Sequence, residues 1–170
     1  PILATISNQE MDEGGSHIVL LSATDIDEDD LTYSITEGTN ITSSIDGTTV
    51  TFSIIDDDWN GSEEFTATVT DGEYLDSQTF TIAVNGVNDA PVLATISDVV
   101  FDEDDSTTIT ISAIDVDEDE LIFDITGGTN ITATLDVDQL SFSSATDFNG
   151  SETFTVSVTD DEYTDSQILS

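Results

Sequence analysis

The chain repeats itself. PILATIS at 1–7 returns as PVLATIS at 91–97, ATDIDEDDLTYSIT at 23–36 as AIDVDEDELIFDIT at 113–126, and GTNIT at 38–42 recurs at 128–132, each 90 residues on. WNGSEEFTATVTDGEYLDSQ at 59–78 meets FNGSETFTVSVTDDEYTDSQ at 148–167, an offset of 89, so one residue is deleted between those blocks. A sequence built this way must fold as copies of one unit, each able to bury its own core or a core shared with its neighbour. The 170 residues hold two such copies, and a unit of roughly 90 residues lies within the ordinary domain range. The chain starts at Pro1 and stops inside the pattern, which reads as an excised fragment with further copies flanking it.

Within a unit the apolar residues alternate. HIVLLSAT (17–24), LTYSIT (31–36), NITSSI (40–45), TVTFSII (49–55), EFTATVT (64–70) and QTFTIAV (78–84) each fit period two in part, and they are rich in β-branched and aromatic residues. With the short LATI at 3–6 this makes seven strands. IDGTT (45–49) is a tight hairpin signal and DGEYLDS (71–77) a longer turn. No helical stripe interrupts them. The expectation is an all-β chain of two tandem, seven-stranded Greek-key β-sandwiches of immunoglobulin-like type. The domains are residues 1–87 and 92–170, joined by a linker at 88–91. TFTIAVNGVNDAP (79–91) has only ILS (168–170) as its counterpart, so the second sandwich lacks most of its last strand and has an open edge.

Charge bounds the function. There are 38 Asp and Glu and no Lys or Arg, a formal charge of −38. A surface of that charge is not expected to bind nucleic acid or an anionic membrane without a bridging cation. No run approaches 18 apolar residues, so direct membrane insertion is not expected. High charge with 36% apolar content also describes disorder, but strand-like alternation argues against it. With no cysteine and one histidine, His17, neither a Cys-based zinc site nor a nucleophile–base pair can be assembled, and no enzyme activity is expected.

The carboxylates gather in loops. In a sandwich, successive loops alternate between the two poles. The loop with Asp25 and Asp27 and the loop with Asp71 follow the second and sixth strands, so they share the pole where the first strand starts. The loop with Glu13 and the loop with Asp57 and Asp58 share the opposite pole. This alternation directs Glu13 and Asp57 or Asp58 of copy one toward Asp115, Asp117 and Asp160 of copy two, with Asn88 and Asp89 between. Carboxylates at close range need a counter-charge or must protonate, and no basic side chain is present to supply one. An all-oxygen donor set of Asp, Glu, Asn and backbone carbonyls suits Ca²⁺. DIDEDD (25–30) is not the calcium loop of helix–loop–helix proteins, because Asp30 stands at its glycine position and Thr36 at its final glutamate.

AIDVD (113–117), VTDGE (69–73), VTDDE (158–162) and VNDAPV (87–92) together resemble the cadherin repeat, and more closely the bacterial cadherin-like tandem repeats of about 95 residues found in long surface and secreted proteins. The resemblance implies that Asn88 and Asp89 of the linker ligate calcium with Asp115 and Asp117 of the following domain. Asp160 matches the family's aspartate after the sixth strand, and Glu13 its early glutamate. Asp25, Asp27 and Asp71 repeat the second half of such a site. The family's acidic motif before the sixth strand is replaced here by DDDWNG, and Ala90 stands where the family has a side-chain donor. The function implied is that of a calcium-rigidified spacer in a long extracellular bacterial adhesin, whose partners are neighbouring repeats of the same chain. The alternative is a recognition module for itself or a glycan.

Overall fold

A computed structural model describes residues 1–170 and divides the chain into two compact units, Pro1–Val87 and Asn88–Ser170. Every regular element is a strand.

The first unit contains β1 (Ile2–Leu3), β2 (Gln9–Asp12), β3 (Ser16–Leu20), β4 (Ala23–Thr24), β5 (Thr32–Ile35), β6 (Ile41–Asp46), β7 (Thr49–Ile54), β8 (Gly61–Thr70) and β9 (Leu75–Asn85). β3–β7–β6 form one sheet and β2–β9–β8–β5 the other, while β1 pairs with β4. Alternation explains the layering. Val50 and Phe52 of β7 point inward, as do Phe65, Ala67 and Val69 of β8 and Phe80 and Ile82 of β9, all nearly inaccessible. Phe52 meets Phe65 edge-on at 4.8 Å between ring centroids, which ties the two sheets together. Their outward neighbours are largely Thr and Ser, among them Thr51, Ser53, Thr66, Thr68, Thr79 and Thr81.

The sequence-derived strands lie where expected, with two corrections. LATI is not one strand: the chain pairs at Ile2–Leu3, breaks, and pairs again as β2. HIVLLSAT is likewise divided into β3 and β4. In sequence β2 runs into an acidic loop, yet Gln9–Asp12 lie parallel to Ile82–Asn85 and bury Met11. Four residues with one apolar member carry too little periodicity to declare a strand. Crossing from one sheet to the other within the first strand leaves a polar bend, Thr5–Asn8. There the Asn8 side chain accepts the Thr81 N–H at 3.0 Å and the Gln78 side chain accepts the Ile6 N–H at 3.0 Å.

The second unit repeats the plan with β10 (Val92–Leu93), β11 (Ser106–Thr110), β12 (Ala113–Ile114), β13 (Ile122–Gly127), β14 (Ile131–Asp136), β15 (Gln139–Ser144), β16 (Phe154–Thr159) and β17 (Thr164–Leu169). Its sheets are β11–β15–β14 and β13–β16–β17, with β10 on β12. Leu140, Phe142, Phe154, Val156 and Val158 form the core. Residues 99–102, the counterpart of β2, form no strand.

One device occurs twice and is not foreshadowed in the sequence. The Glu63 carboxylate accepts the backbone N–H groups of Thr39 (3.0 Å), Asn40 (2.8 Å) and Ile41 (3.2 Å) and the Asn40 side-chain amide (2.9 Å). Glu152 does the same for Thr129, Asn130 and Ile131. These donors pull the Glu152 carboxyl down to about 2, against the opposing effect of desolvation. The GTNI stretch is thus a loop of converging N–H groups closed by a carboxylate, and its acidic partner lies 22 or more residues away from Asn40 and Asn130. Local patterns do not reveal such a pairing.

Candidate metal centre

At the N-terminal pole of the second unit, three segments converge. Asn88 and Asp89 enter from the linker. Asp115, Asp117 and Asp119 come from the loop after β12, and Asp160 from the turn after β16. Asp115, Asp117 and Asp119 each place a carboxylate oxygen within 4.8 Å of the others. The loop is wound by its own first aspartate: Asp115 Oδ1 accepts the N–H groups of Asp117 (2.9 Å) and Asp119 (3.4 Å). Glu118 adopts φ 61°, which brings the third aspartate back toward the first. Asp160 is fixed the same way, its Oδ1 accepting the N–H groups of Glu162 (2.7 Å) and Tyr163 (2.6 Å).

The linker is tied into this pole. Asp117 Oδ2 accepts the Asp89 N–H at 2.7 Å, and Asp160 Oδ2 accepts the Asn88 side-chain amide at 3.0 Å. One oxygen is left over. Asp115 Oδ2 is buried and has no hydrogen-bond partner, an arrangement that costs free energy unless something positive faces it. The electrostatics agree. Desolvation, with the nearby charges of Asp115, Asp117 and Asp160, pushes the Asp119 carboxyl up. Desolvation pushes Asp160 up as well, but the N–H groups of Tyr163 and Glu162 and the Asn88 amide outweigh it and hold Asp160 low. The donors are all oxygens, one of them buried and unmet, and the cluster strains against its own charge. This set fits Ca²⁺, which takes six to eight oxygens with flexible geometry.

The first unit presents the same pole. Asp25, Asp27 and Asp29 also bring carboxylate oxygens within 4.8 Å, and Asp25 Oδ1 accepts the Asp27 N–H at 2.9 Å. Asp71 Oδ1 accepts the N–H groups of Glu73 (2.8 Å) and Tyr74 (2.7 Å).

At the opposite pole of the first unit, Glu13 Oε1 accepts the Val87 N–H at 2.8 Å, and its backbone N–H reaches the Asn85 carbonyl at 3.0 Å. Glu13 Oε2 is buried without a hydrogen-bond partner. Asp57 and Asp58 lie exposed in the β7–β8 turn, which closes on itself through Asp56: its carbonyl accepts the Trp59 N–H at 3.0 Å and its carboxylate faces the Asp58 N–H at 3.5 Å. The polar contacts of Glu13 run to Val87 and Asn85, not to this turn.

Sequence alone groups Glu13 and Asp57 or Asp58 with Asn88, Asp89, Asp115, Asp117 and Asp160, and sets Asp25, Asp27 and Asp71 in a second cluster; within the second unit Asn88, Asp89, Asp115, Asp117 and Asp160 come together. Sequence alone omits Asp119 and Asp29. Their signal is present as the third aspartate of a D-x-D-x-D run, which a turn at the intervening residue returns to the same side.

The sequence pattern of the bacterial Ig domain family matches residues 1–83 and again 88–170. No curated protein matches the chain in sequence. Among solved structures, the chain is similar to human protocadherin-24 EC1-2. One crystal form superposes with a TM-score of 0.55 at 16% identity, covering 97% of this chain and 89% of that one. A second structure of the same protein gives 0.50 at 14%, covering 97% and 88%. An endo-fucoidan hydrolase of glycoside hydrolase family 107 matches at 18% identity and a TM-score of 0.40, covering 96% of this chain, which spans about a quarter (26%) of that chain. These likenesses describe fold.

Proposed function

The chain belongs to the bacterial Ig domain family, and from that premise we propose that it is an extracellular, non-enzymatic spacer of an adhesion-type protein whose repeats are braced by Ca²⁺. The observation that carries this reading is the buried, partnerless oxygen of Asp115 within a cluster that also receives both linker residues. Asp115, Asp117, Asp119 and Asp160 would hold the ion together with Asn88 and Asp89. Asp25, Asp27, Asp29 and Asp71 would form the corresponding site of the first repeat. The ion supplies positive charge that the chain itself lacks, and a preference for many oxygen ligands.

The rest belongs to the protein. Asp115 and Asp160 are pre-oriented by the N–H groups that their other oxygens accept, so little ordering is left for the moment of binding. Because Asn88 and Asp89 are the connection between repeats, fixing them removes backbone freedom where a tandem chain would otherwise hinge. Reach is then set by the number of repeats and not by the entropy of a flexible linker. Extracellular calcium modules bind at about 10⁻⁴ to 10⁻³ M, so saturation is expected in seawater or host fluid.

Small-angle scattering of the 170-residue chain in millimolar Ca²⁺ and in chelator tests this reading. The spacer requires a longer, narrower distance distribution with calcium, and no such change in an Asp89→Ala, Asp117→Ala variant. Identical profiles in calcium and chelator would refute it.

A further inference from the structure

β10 carries the linker to the carboxylate pole of the second unit, yet it is a strand of only 2 residues. Val92 and Leu93 pair with Ile114 and Ala113 of β12, and the Ala94 N–H adds a bond to the Ser112 carbonyl at 2.8 Å. No strand pairs with its other edge. Two side chains of β17 take that place. Asp165 Oδ2 accepts the Leu93 N–H at 2.9 Å, and Gln167 Oε1 accepts the Ile96 N–H at 3.0 Å. The Gln167 amide donates to the carbonyls of Leu93 (2.9 Å) and Ala94 (3.2 Å).

Both residues break the pattern of their strand. Alternation puts Asp165 and Gln167 on the face that carries Leu169 into the core, where apolar side chains are the rule. The first unit does the same. Asp76 accepts the Leu3 N–H at 2.8 Å, while Gln78 accepts the Ile6 N–H at 3.0 Å and donates to the Leu3 carbonyl at 2.9 Å. These two lie on the face of β9 that continues as buried Phe80 and Ile82. A local rule broken identically in both copies, with the bonds aimed at matching backbone atoms, points to a function for the break.

We propose that Asp165 and Gln167 are positioning residues of the metal pole, a role that rests on the calcium brace described above. By clamping β10 they hold Asn88 and Asp89 where the ion needs them. Asp115 follows β12 directly, and Asp160 opens the turn that leads into β17. β10 is therefore tied on both edges to the strands whose ends carry the acidic groups. The chain between clamp and linker has little slack: Leu93 is buried, and so is Pro91, whose ring fixes its φ. Beyond it, the Asp89 N–H and the Asn88 amide are bonded to Asp117 and Asp160. The clamp's own bonds run to β10 and, from Asp165, to the Ser166 N–H at 2.7 Å, so it acts on an ion only through the backbone it orders. Backbone ordered beforehand leaves less to be ordered on binding. Linkage then makes the effect mutual, so calcium must steady β10 by the factor by which the clamp strengthens calcium.

Gln167→Met keeps length and net charge and removes the bonds to Leu93, Ala94 and Ile96. In chelator it should speed amide hydrogen exchange at Leu93, Ala94 and Ile96 about tenfold or more, leaving Val156 and Val158 of the core and Leu3 and Ile6 of the first clamp unchanged. In a calcium titration followed at the Asp89, Glu162 and Tyr163 amides, its midpoint should rise about fivefold or more. Asp165→Ala should act likewise. Asp165→Asn loses the charge but keeps an oxygen for the Leu93 N–H, and should titrate like the parent. The parent needs no substitution to be tested: calcium should slow exchange at its own Leu93 and Ile96 amides. Unchanged exchange at β10, or a Gln167→Met midpoint equal to the parent's, overturns the positioning role while the brace stands. An Asp165→Asn midpoint as weak as that of Asp165→Ala also overturns it, by making charge the cause. Parent amides that ignore calcium refute the brace itself, and the positioning role falls with it.

Discussion

Replacing Glu63 by Gln keeps the shape of the clamp over residues 39–41 and removes its charge. The carboxylate serves four donors. A carboxamide offers one oxygen and turns an NH₂ toward the others, so about two of the four lose their acceptor. An unsatisfied buried donor costs about 1–3 kcal/mol. Water reaches part of this loop, so the low end applies, and Glu63→Gln should cost about 2 kcal/mol. For a domain of this size that lowers the midpoint of thermal unfolding by roughly 8–16 °C. Trp59 is the sole tryptophan and packs against the first core, so its fluorescence reports the first unit alone. The pH response gives a second test. Desolvation pushes the Glu63 carboxyl up, but the N–H groups of Asn40, Ile41 and Thr39 and the Asn40 amide outweigh it and hold it below 4.5. The stabilisation is therefore fully present above the ordinary value and is lost as pH falls through the lowered one. Glu63→Gln should flatten that acid-side loss. A variant that melts with the parent at neutral pH, or keeps the parent's slope below pH 4.5, would refute the clamp.

Glu152→Gln should act likewise on the second unit, removing the part of its stability that the parent loses between pH 4.5 and about 2, as read by circular dichroism in acid titration. Asp119→Asn relieves the carboxyl that desolvation and its neighbours push up. A raised carboxyl pKa means the folded unit binds the extra proton, so its stability falls as pH rises through the shifted value; the variant should melt higher than the parent in chelator at pH 7 and gain less from added calcium. Val137→Gly should stabilise the second unit by about 1 kcal/mol, because Val137 holds φ 57° at 83% exposure in the β14–β15 hairpin, where the first unit has Gly47. Chemical denaturation would register it as a higher midpoint at unchanged slope.

Much of the fold is legible in the sequence because the inward positions announce themselves twice, once by alternation and again 89 or 90 residues later. Val50, Phe52, Phe65, Ala67 and Val69 fall on inner faces by alternation alone, and all are buried. β2 is not legible in this way, because its burial comes from β9, which lies 73 residues ahead in the chain. The poles are legible because strand alternation fixes which loops share an end. That reasoning brings Asn88 and Asp89 to Asp160 and Asp117. Asp119 and the clamps of Glu63 and Glu152 are hidden for a different reason. Their roles depend on backbone turns, at Glu118 and along GTNI, that present N–H groups or fold an aspartate back, and no spacing in the sequence encodes a turn's direction.

The carboxylate pole of the second repeat is tested most directly by titrating the ¹⁵N-labelled chain with Ca²⁺ and following individual backbone amides. The account predicts saturable shifts at Asp89, Asp117, Asp119, Glu162 and Tyr163, the N–H groups bonded around the cluster. It predicts that Asp115→Asn, Asp117→Asn abolishes them while Mg²⁺ at equal concentration reproduces them weakly. Amides that stay in place through about 10⁻² M Ca²⁺, ten times the weak end of extracellular calcium modules, would contradict it.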